Sequence, residues 1–241
     1  MFAFLRAWVW RNIYWRLKGE RCVHDSYFRG TCRFLVKNWP RIGGRELSRL
    51  ELQALSMAPA GSTISVRVID GELQMTIGHP DLILTGFENV VYLKHDQALD
   101  EIYLYIDLVM FDGKVCPEGF GAVGFLRCAE MAYRLGFSRI ELLAAGGADY
   151  KIANSWSRDD FNGYYSWARF GFNAELHSLT REMIKNDPGL SGCNDLADII
   201  GRQPDWWWEH GGGGELTFDL QRGSRSWQTL YAYLESKDLR T

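Results

Sequence analysis

No apolar run in this 241-residue chain approaches the roughly 18 to 20 residues that a membrane span needs, so a soluble protein is expected. Paired cysteines are missing too. Cys22, Cys32, Cys116, Cys128 and Cys193 are odd in number and widely spaced, and no Cys-x-x-Cys occurs, which argues against the common zinc and redox motifs. They read as reduced thiols, mostly small core residues, in a cytoplasmic setting. The histidines His24, His79, His95, His177 and His210 fall in no triad or metal-ligand spacing. The opening Met1 to Arg11 has neither a clean apolar h-region nor a small-residue cleavage site, so a secretory signal is not expected. No internal repeat is visible.

What is present suffices for a sizeable core: 46% of residues are hydrophobic and 24% charged, with a net charge of −3. The charge is uneven. Residues 1–49 hold eleven Lys and Arg against Glu20, Asp25 and Glu46, a surplus of about eight that leaves about −11 for the rest. Trp8, Trp10, Tyr14, Trp15, Tyr27, Phe28 and Trp39 interleave with these cations. Two readings follow, a basic-faced helix whose aromatics pack on the main sheet, or a surface for an anionic partner such as nucleic acid.

The hydrophobic pattern predicts helices over about Arg6–Lys18 and Arg45–Met57, then a change to strands. Residues 63–69 and 72–77 form a hairpin about Asp70-Gly71, a pair suited to positive φ angles. Further strands are expected at Leu82–Thr85, Val90–Leu93, Glu101–Phe111, Ser138–Ala145 and Leu216–Leu220. Helices are expected at about Asp160–Arg169, in a broken stretch over His177–Gly201, and at Ser224–Ser236, with Gly211–Gly214 as a flexible joint. The chain reads as one elaborated domain: an N-terminal helical, basic and aromatic segment (1–60), a core (61–176), and a C-terminal extension (177–241).

Gly119-Phe120-Gly121-Ala122-Val123-Gly124 opens an amphipathic helix that runs to Leu135-Gly136-Phe137 between two strands. Glycines admit close approach, and the unpaired N–H groups of a helix start favour a phosphate or pyrophosphate. The glycine spacing also spells the dinucleotide fingerprint, with Glu141 near the ribose-binding distance. However, Asp112 to Glu118 separates the first glycine from its strand, and hairpins rather than repeated βαβ units precede it.

Three segments together carry a resemblance. Gly119-Phe120-Gly121 through Leu135-Gly136-Phe137, the strand Arg139-Ile-Glu-Leu-Leu143, and Trp167-Ala-Arg-Phe-Gly171-Phe172 resemble the GNAT acyltransferase superfamily over roughly Glu101 to Phe172, under a third of the chain. The resemblance implies an α/β (α+β) fold, a mixed and mostly antiparallel sheet with a splayed parallel strand pair, flanked by helices. It implies acetyl-CoA or another acyl-CoA as the bound group. Its pyrophosphate would lie on the amides of Gly119, Phe120, Gly121 and Ala122, and its pantetheine arm along Val109 and Phe111. Asn154, in the long link after the next strand, joins this cofactor set. Lys114 or Arg127 would favour the 3′-phosphate.

Acyl transfer to an amine needs a base for the amine proton and a donor for the departing thiolate. Asp107 and Glu101, six residues apart on one strand face, are the candidate bases. The family's frequent general-acid tyrosine falls at Trp167, and Cys116 stands where the glycine loop usually has Gln or Arg. Tyr164 and Tyr165 are therefore the candidate acids. The acceptor is a small-molecule or peptide amine. The alternative is a catalytically degenerate module that engages nucleic acid or a protein through its basic N-terminal segment.

Overall fold

The computed structural model describes residues 27–147 and 162–239. Its main sheet is seven-stranded, in the order β1-β4-β5-β6-β7-β8-β9, with a separate two-stranded ribbon, β2 with β3. The strands are β1 (Arg33–Val36), β2 (Arg41–Ile42), β3 (Arg45–Glu46), β4 (Thr63–Ile69), β5 (Glu72–Gly78), β6 (Asn89–Asp96), β7 (Glu101–Leu108), β8 (Arg139–Gly147) and β9 (Gly212–Asp219). The helices are α1 (Arg49–Leu55), α2 (Phe120–Arg134), α3 (Gly163–Arg169), α4 (Ser178–Ile184), α5 (Leu196–Arg202), α6 (Pro204–His210) and α7 (Arg225–Ser236). Only β1/β4 and β7/β8 pair parallel, so the sheet is mixed and mostly antiparallel, as expected. No helix among the described residues is long and apolar enough to cross a membrane.

Period-two alternation sorts the strands into two faces. Ile64, Val66, Met75, Ile77, Val91, Leu104, Ile106, Ile140, Leu142 and Phe218 are buried beneath the helices. The other face keeps Gln74, Tyr92, Lys94, Tyr103, Tyr105 and Glu141 half-exposed, and Asp107, Glu215 and Thr217 exposed. On the buried side Phe125 of α2 meets the rings of Trp167, Phe172 and Phe218, with centroids 5.7, 5.0 and 5.1 Å away. Each such pair adds about 0.5–1.5 kcal/mol beyond simple burial. Helix α2 ends as its sequence predicts: Gly136 adopts φ 79°, and the N–H groups of Gly136 and Phe137 donate to Tyr133 and Ala132.

Several boundaries differ from the sequence expectation. The helix expected from Arg45 starts at Arg49, because Ser48 and Glu51 form a capping box and Arg45–Glu46 is already paired with β2. Within residues 1–60 the pattern gave no hint of β1, an edge strand paired with β4. Leu82–Thr85 is no regular strand; it contributes a single bridge, Ile83 to Phe111, and β7 ends at Leu108 rather than Phe111. The region expected to be broken helix resolves into α4 and α5. Gly211–Gly214 is not a free joint, since Gly212–Gly214 belong to β9. A Cβ at Gly213 would overlap the Ala144 carbonyl and one at Gly211 would overlap Trp207, so close packing rather than mobility selects these glycines. Cys32, Cys128 and Cys193 are buried and Cys116 is half-buried.

Candidate functional site

The parallel pairing of β7 with β8 covers only Leu104–Ile106 against Ile140–Leu142. Beyond it each strand is drawn to its outer neighbour. On the β7 side, Leu84 N–H donates to the Met110 carbonyl, Asp112 N–H to the Leu82 carbonyl, and Met110 N–H to the Asn89 carboxamide at 2.7 Å. On the β8 side the ladder continues to β9 with a register shift between Ala144 and Gly147. The strands therefore splay, and a cleft of about 750 Å³ opens between them. Its wall includes Ile106 and Leu142 from the buried face and Asp107, Leu143 and Ala145 from the open face, so it passes through the plane of the sheet.

Backbone alternation fixes what the β7 extension offers this cleft. Since Met110 and Asp112 spend their bonds on Leu82 and Leu84, the N–H and C=O groups of Val109 and Phe111 turn to the opposite edge, and both residues line the cleft. A free strand edge of this kind accepts an extended ligand.

Gly119, Phe120, Gly121 and Ala122 form the start of α2, and they differ in what they can do. Gly119 is the N-cap with φ 79°, and a Cβ there would overlap the side chain of Leu239, so its glycine is required by the C-terminal segment. Beside it Lys237 pairs with Glu118 at 2.6 Å. The Phe120 amide already donates to the Pro117 carbonyl, and its ring is buried against Tyr27, Phe28 and Phe111. The amides of Gly121 and Ala122 have no acceptor among the described residues. Gly121 lines the cleft, and a Cβ there would stand 3.9 Å from the Phe111 ring, an ordinary contact. Nothing among the described residues demands glycine at that position.

Of the candidate bases, Asp107 is exposed at the cleft wall. Glu101 is not brought there, since its carboxylate binds Arg139 at 3.2 Å at the far end of β7. The two candidate acids also lie elsewhere. Tyr164 is fully buried, donates its hydroxyl to the Trp208 carbonyl at 2.8 Å and stacks on that ring. Tyr165 packs edge-on against Trp208 and under the Arg169 guanidinium. The face of α3 that does line the cleft carries Gly163, Ser166, Trp167 and Phe170. Ser166 is the hydroxyl this face presents, and it donates to the Asn162 carboxamide at 2.8 Å. The sequence reading missed Ser166, although the spacing 163, 166, 167, 170 is the signature of one helical face.

Lys114 lines the cleft, whereas Arg127 does not. The Arg127 guanidinium lies 5.0 Å over the Phe28 ring, and its Nη1 is buried with no hydrogen-bond partner among the described residues. Cys116 donates to the Leu82 carbonyl, and burial followed by the Asp112 charge pushes its thiol up to about 11, the reverse of what a nucleophile needs. Asn154 and Trp156 lie outside the described residues, as do Trp8, Trp10, Tyr14 and Trp15. Of the basic and aromatic segment, the described part is packed: Arg49 covers the rings of Phe34 and Trp39, and the Trp39 indole donates to the Leu47 carbonyl. A second cavity, about 660 Å³, lies between Leu176–Met183 and Gly211–Leu216, bordered by His177, Trp207 and His210. Among the described residues no cluster of three or more His, Cys, Asp or Glu is placed to hold a metal ion.

A scan of protein-family models and a search of curated proteins both return no match for this chain.

Proposed function

We propose that the chain is an acyl-CoA-dependent N-acyltransferase of the GNAT type, with acetyl as the acyl group and an amine as the acceptor. The observation that carries this reading is the through-sheet cleft, flanked on one wall by the free strand edge at Val109 and Phe111 and bordered at one end by Gly121, whose amide has no acceptor among the described residues. When bound, an acyl-CoA supplies a thioester carbonyl to be attacked and a thiolate that departs.

The residues of the chain have separable roles in this reading. The Gly121 and Ala122 amides and the positive end of α2 would hold the pyrophosphate, the missing Cβ of Gly121 leaves room for it, and Lys114 would favour the 3′-phosphate. The backbone of Val109 and Phe111 would hold the amide-bearing arm as an added strand. Asp107 takes the proton of the attacking amine. Ser166 would take the donor role that Tyr164 and Tyr165 are not placed to fill by turning its single O–H from the Asn162 carboxamide to the departing sulfur.

Calorimetric titration with CoA and acetyl-CoA tests the cofactor. Saturable binding is expected, and the absence of heat at millimolar ligand would refute the assignment. Thiol release from acetyl-CoA with a panel of amines tests the chemistry, and its loss in Asp107→Asn with binding intact is the expected outcome. Binding without thiol release from any amine would favour the degenerate-module alternative.

A further inference from the structure

The cleft opens onto the exposed face of the sheet, where β7, β8 and β9 set their side chains in register. Tyr105 lies opposite Glu141, Glu141 opposite Thr217, and Leu143 opposite Glu215. Asp107 follows Tyr105 on the same face. The cations of this region are already engaged. Lys94 pairs with Glu72 at 3.2 Å and sits 4.8 Å over the Tyr105 ring. Arg139 sits 4.3 Å over the Tyr103 ring and is shared by Asp96, Glu101 and Glu141. Asp107 and Glu215 have no ion-pair partner among the described residues. Burial first, and then the Asp107 charge, raises the Tyr105 phenol above its usual range, with Glu215 and Glu141 acting the same way against Lys94. Apart from Lys114 on the cleft's own wall, the sheet face at its mouth therefore carries a negative field over an aromatic floor, and Leu143 beside it is 59% exposed.

We infer that this face docks a lysine- and arginine-bearing peptide segment and delivers one of its amines to the cleft. The inference rests on the acyl-transfer reading above and narrows its acceptor. Charge complementarity selects a cation. The geometry selects an extended one: Asp107 and Glu215 stand on β7 and β9 with β8 between them, and since paired strands are about 4.8 Å apart and β7 splays from β8 beyond Ile106, they are at least about 10 Å apart, so a single amine cannot satisfy both. Long basic side chains also lay their methylene stems on apolar and aromatic surface, which Tyr103, Tyr105 and Leu143 provide. In the transfer, the amine nitrogen bonds to the acyl carbon, the carbon–sulfur bond breaks, the amine proton passes to Asp107, and the sulfur leaves with the electron pair as CoA thiolate.

The test uses the full chain and a fluorescein-labelled peptide of alternating lysine and alanine, followed by anisotropy without any CoA. Saturable binding is expected, weakened about tenfold or more between roughly 50 and 300 mM salt. Glu215→Lys should weaken it at least tenfold, while Glu235→Lys on the far helix α7 should not. Carbodiimide coupling should link peptide amines to Asp107 or Glu215. No binding at about 1 mM peptide, an unchanged affinity in Glu215→Lys, or coupling confined to other carboxylates would overturn the inference. So would coupling of these carboxylates to lysines of a second copy or of residues 1–26 in place of the peptide. CoA binding measured on the same samples separates the two claims: intact CoA binding without peptide binding sinks this inference alone, and the reverse sinks the acyltransferase reading alone.

Discussion

Gly121→Ala separates what the fold needs from what a ligand needs. At Gly121 the backbone is not in the left-handed region, and an added Cβ meets only the edge of the Phe111 ring at 3.9 Å. Alanine in the first turn of α2 should then stabilise the folded chain by about 0.4–1 kcal/mol, by restricting the unfolded state and raising helix propensity. For a chain of this length that is a rise of roughly 1–4 °C in Tm. The same methyl would stand over the amide expected to meet the pyrophosphate. Overpacking of that kind costs about 1–3 kcal/mol, so CoA affinity should fall by roughly fivefold to 150-fold. Gly119→Ala should behave in the opposite sense. There the φ of 79° and the overlap with Leu239 predict a stability loss of about 1–3 kcal/mol, partly relieved by Leu239→Ala. Thermal unfolding followed by circular dichroism and titration calorimetry with CoA measure both quantities on the same samples. A Gly121→Ala protein that is stabilised yet binds CoA like the parent would refute the cradle. One that is destabilised would refute the reading of this turn's geometry.

Three further outcomes follow from named contacts. Tyr164→Phe removes the hydrogen bond to the Trp208 carbonyl and should cost about 0.5–1.5 kcal/mol in urea unfolding, with thiol release per folded molecule unchanged; a large loss of turnover would restore Tyr164 as the acid. Glu51 is lowered to about 2, chiefly by its hydrogen bonds with the Arg45 side chain. A depressed carboxyl contributes stability above its unfolded value and loses it on acidification, so the Tm difference between the parent and Glu51→Gln should be full at pH 6 and shrink between about 4.5 and about 2. An unchanged difference across that window would contradict it. Cys116, pushed up to about 11, is a protonated thiol at neutral pH, so Cys116→Ala should not reduce the fast phase of disulfide-reagent labelling at pH 7; a lost fast equivalent would show a reactive thiolate.

Much of the central architecture was legible because local signals there agree with the tertiary outcome. Asp70 and Gly71 take φ of 52° and 86°, the positive pair a tight hairpin requires, and β4 and β5 follow in register. Helix α2 was legible at both ends, through its glycines and through Leu135-Gly136-Phe137. The misreadings have particular causes. Strand β1 is four residues long and borrows its partner from a distant segment, so no local alternation announces it. The run Gly211–Gly214 looks like a linker in sequence because the reasons for two of its members, the approach of Trp207 to Gly211 and of Ala144 to Gly213, are non-local. On α3, residues three apart lie about 60° apart around the axis, and the cleft wall falls between Tyr164 and Trp167. The wall admits Trp167 and Ser166 and leaves Tyr164 in the core.

The string Gly119-x-Gly121-x-x-Gly124 shows why a motif of one residue type can mislead about mechanism. Its three glycines answer to different demands. Gly119 yields to its φ of 79° and to Leu239, Gly124 yields to the Phe28 ring, where a Cβ would stand 3.1 Å away, and Gly121 yields to nothing among the described residues. Two of the three are therefore explained by the fold, and a spelling that matches a dinucleotide fingerprint needs no dinucleotide. Gly121 is left as the informative position, because a glycine that the fold does not require is the one whose selection points outward to a ligand. The proposed cofactor site rests on the amides of Gly121 and Ala122, which have no acceptor among the described residues, and on the splayed strands beside them, more than on any single catalytic side chain.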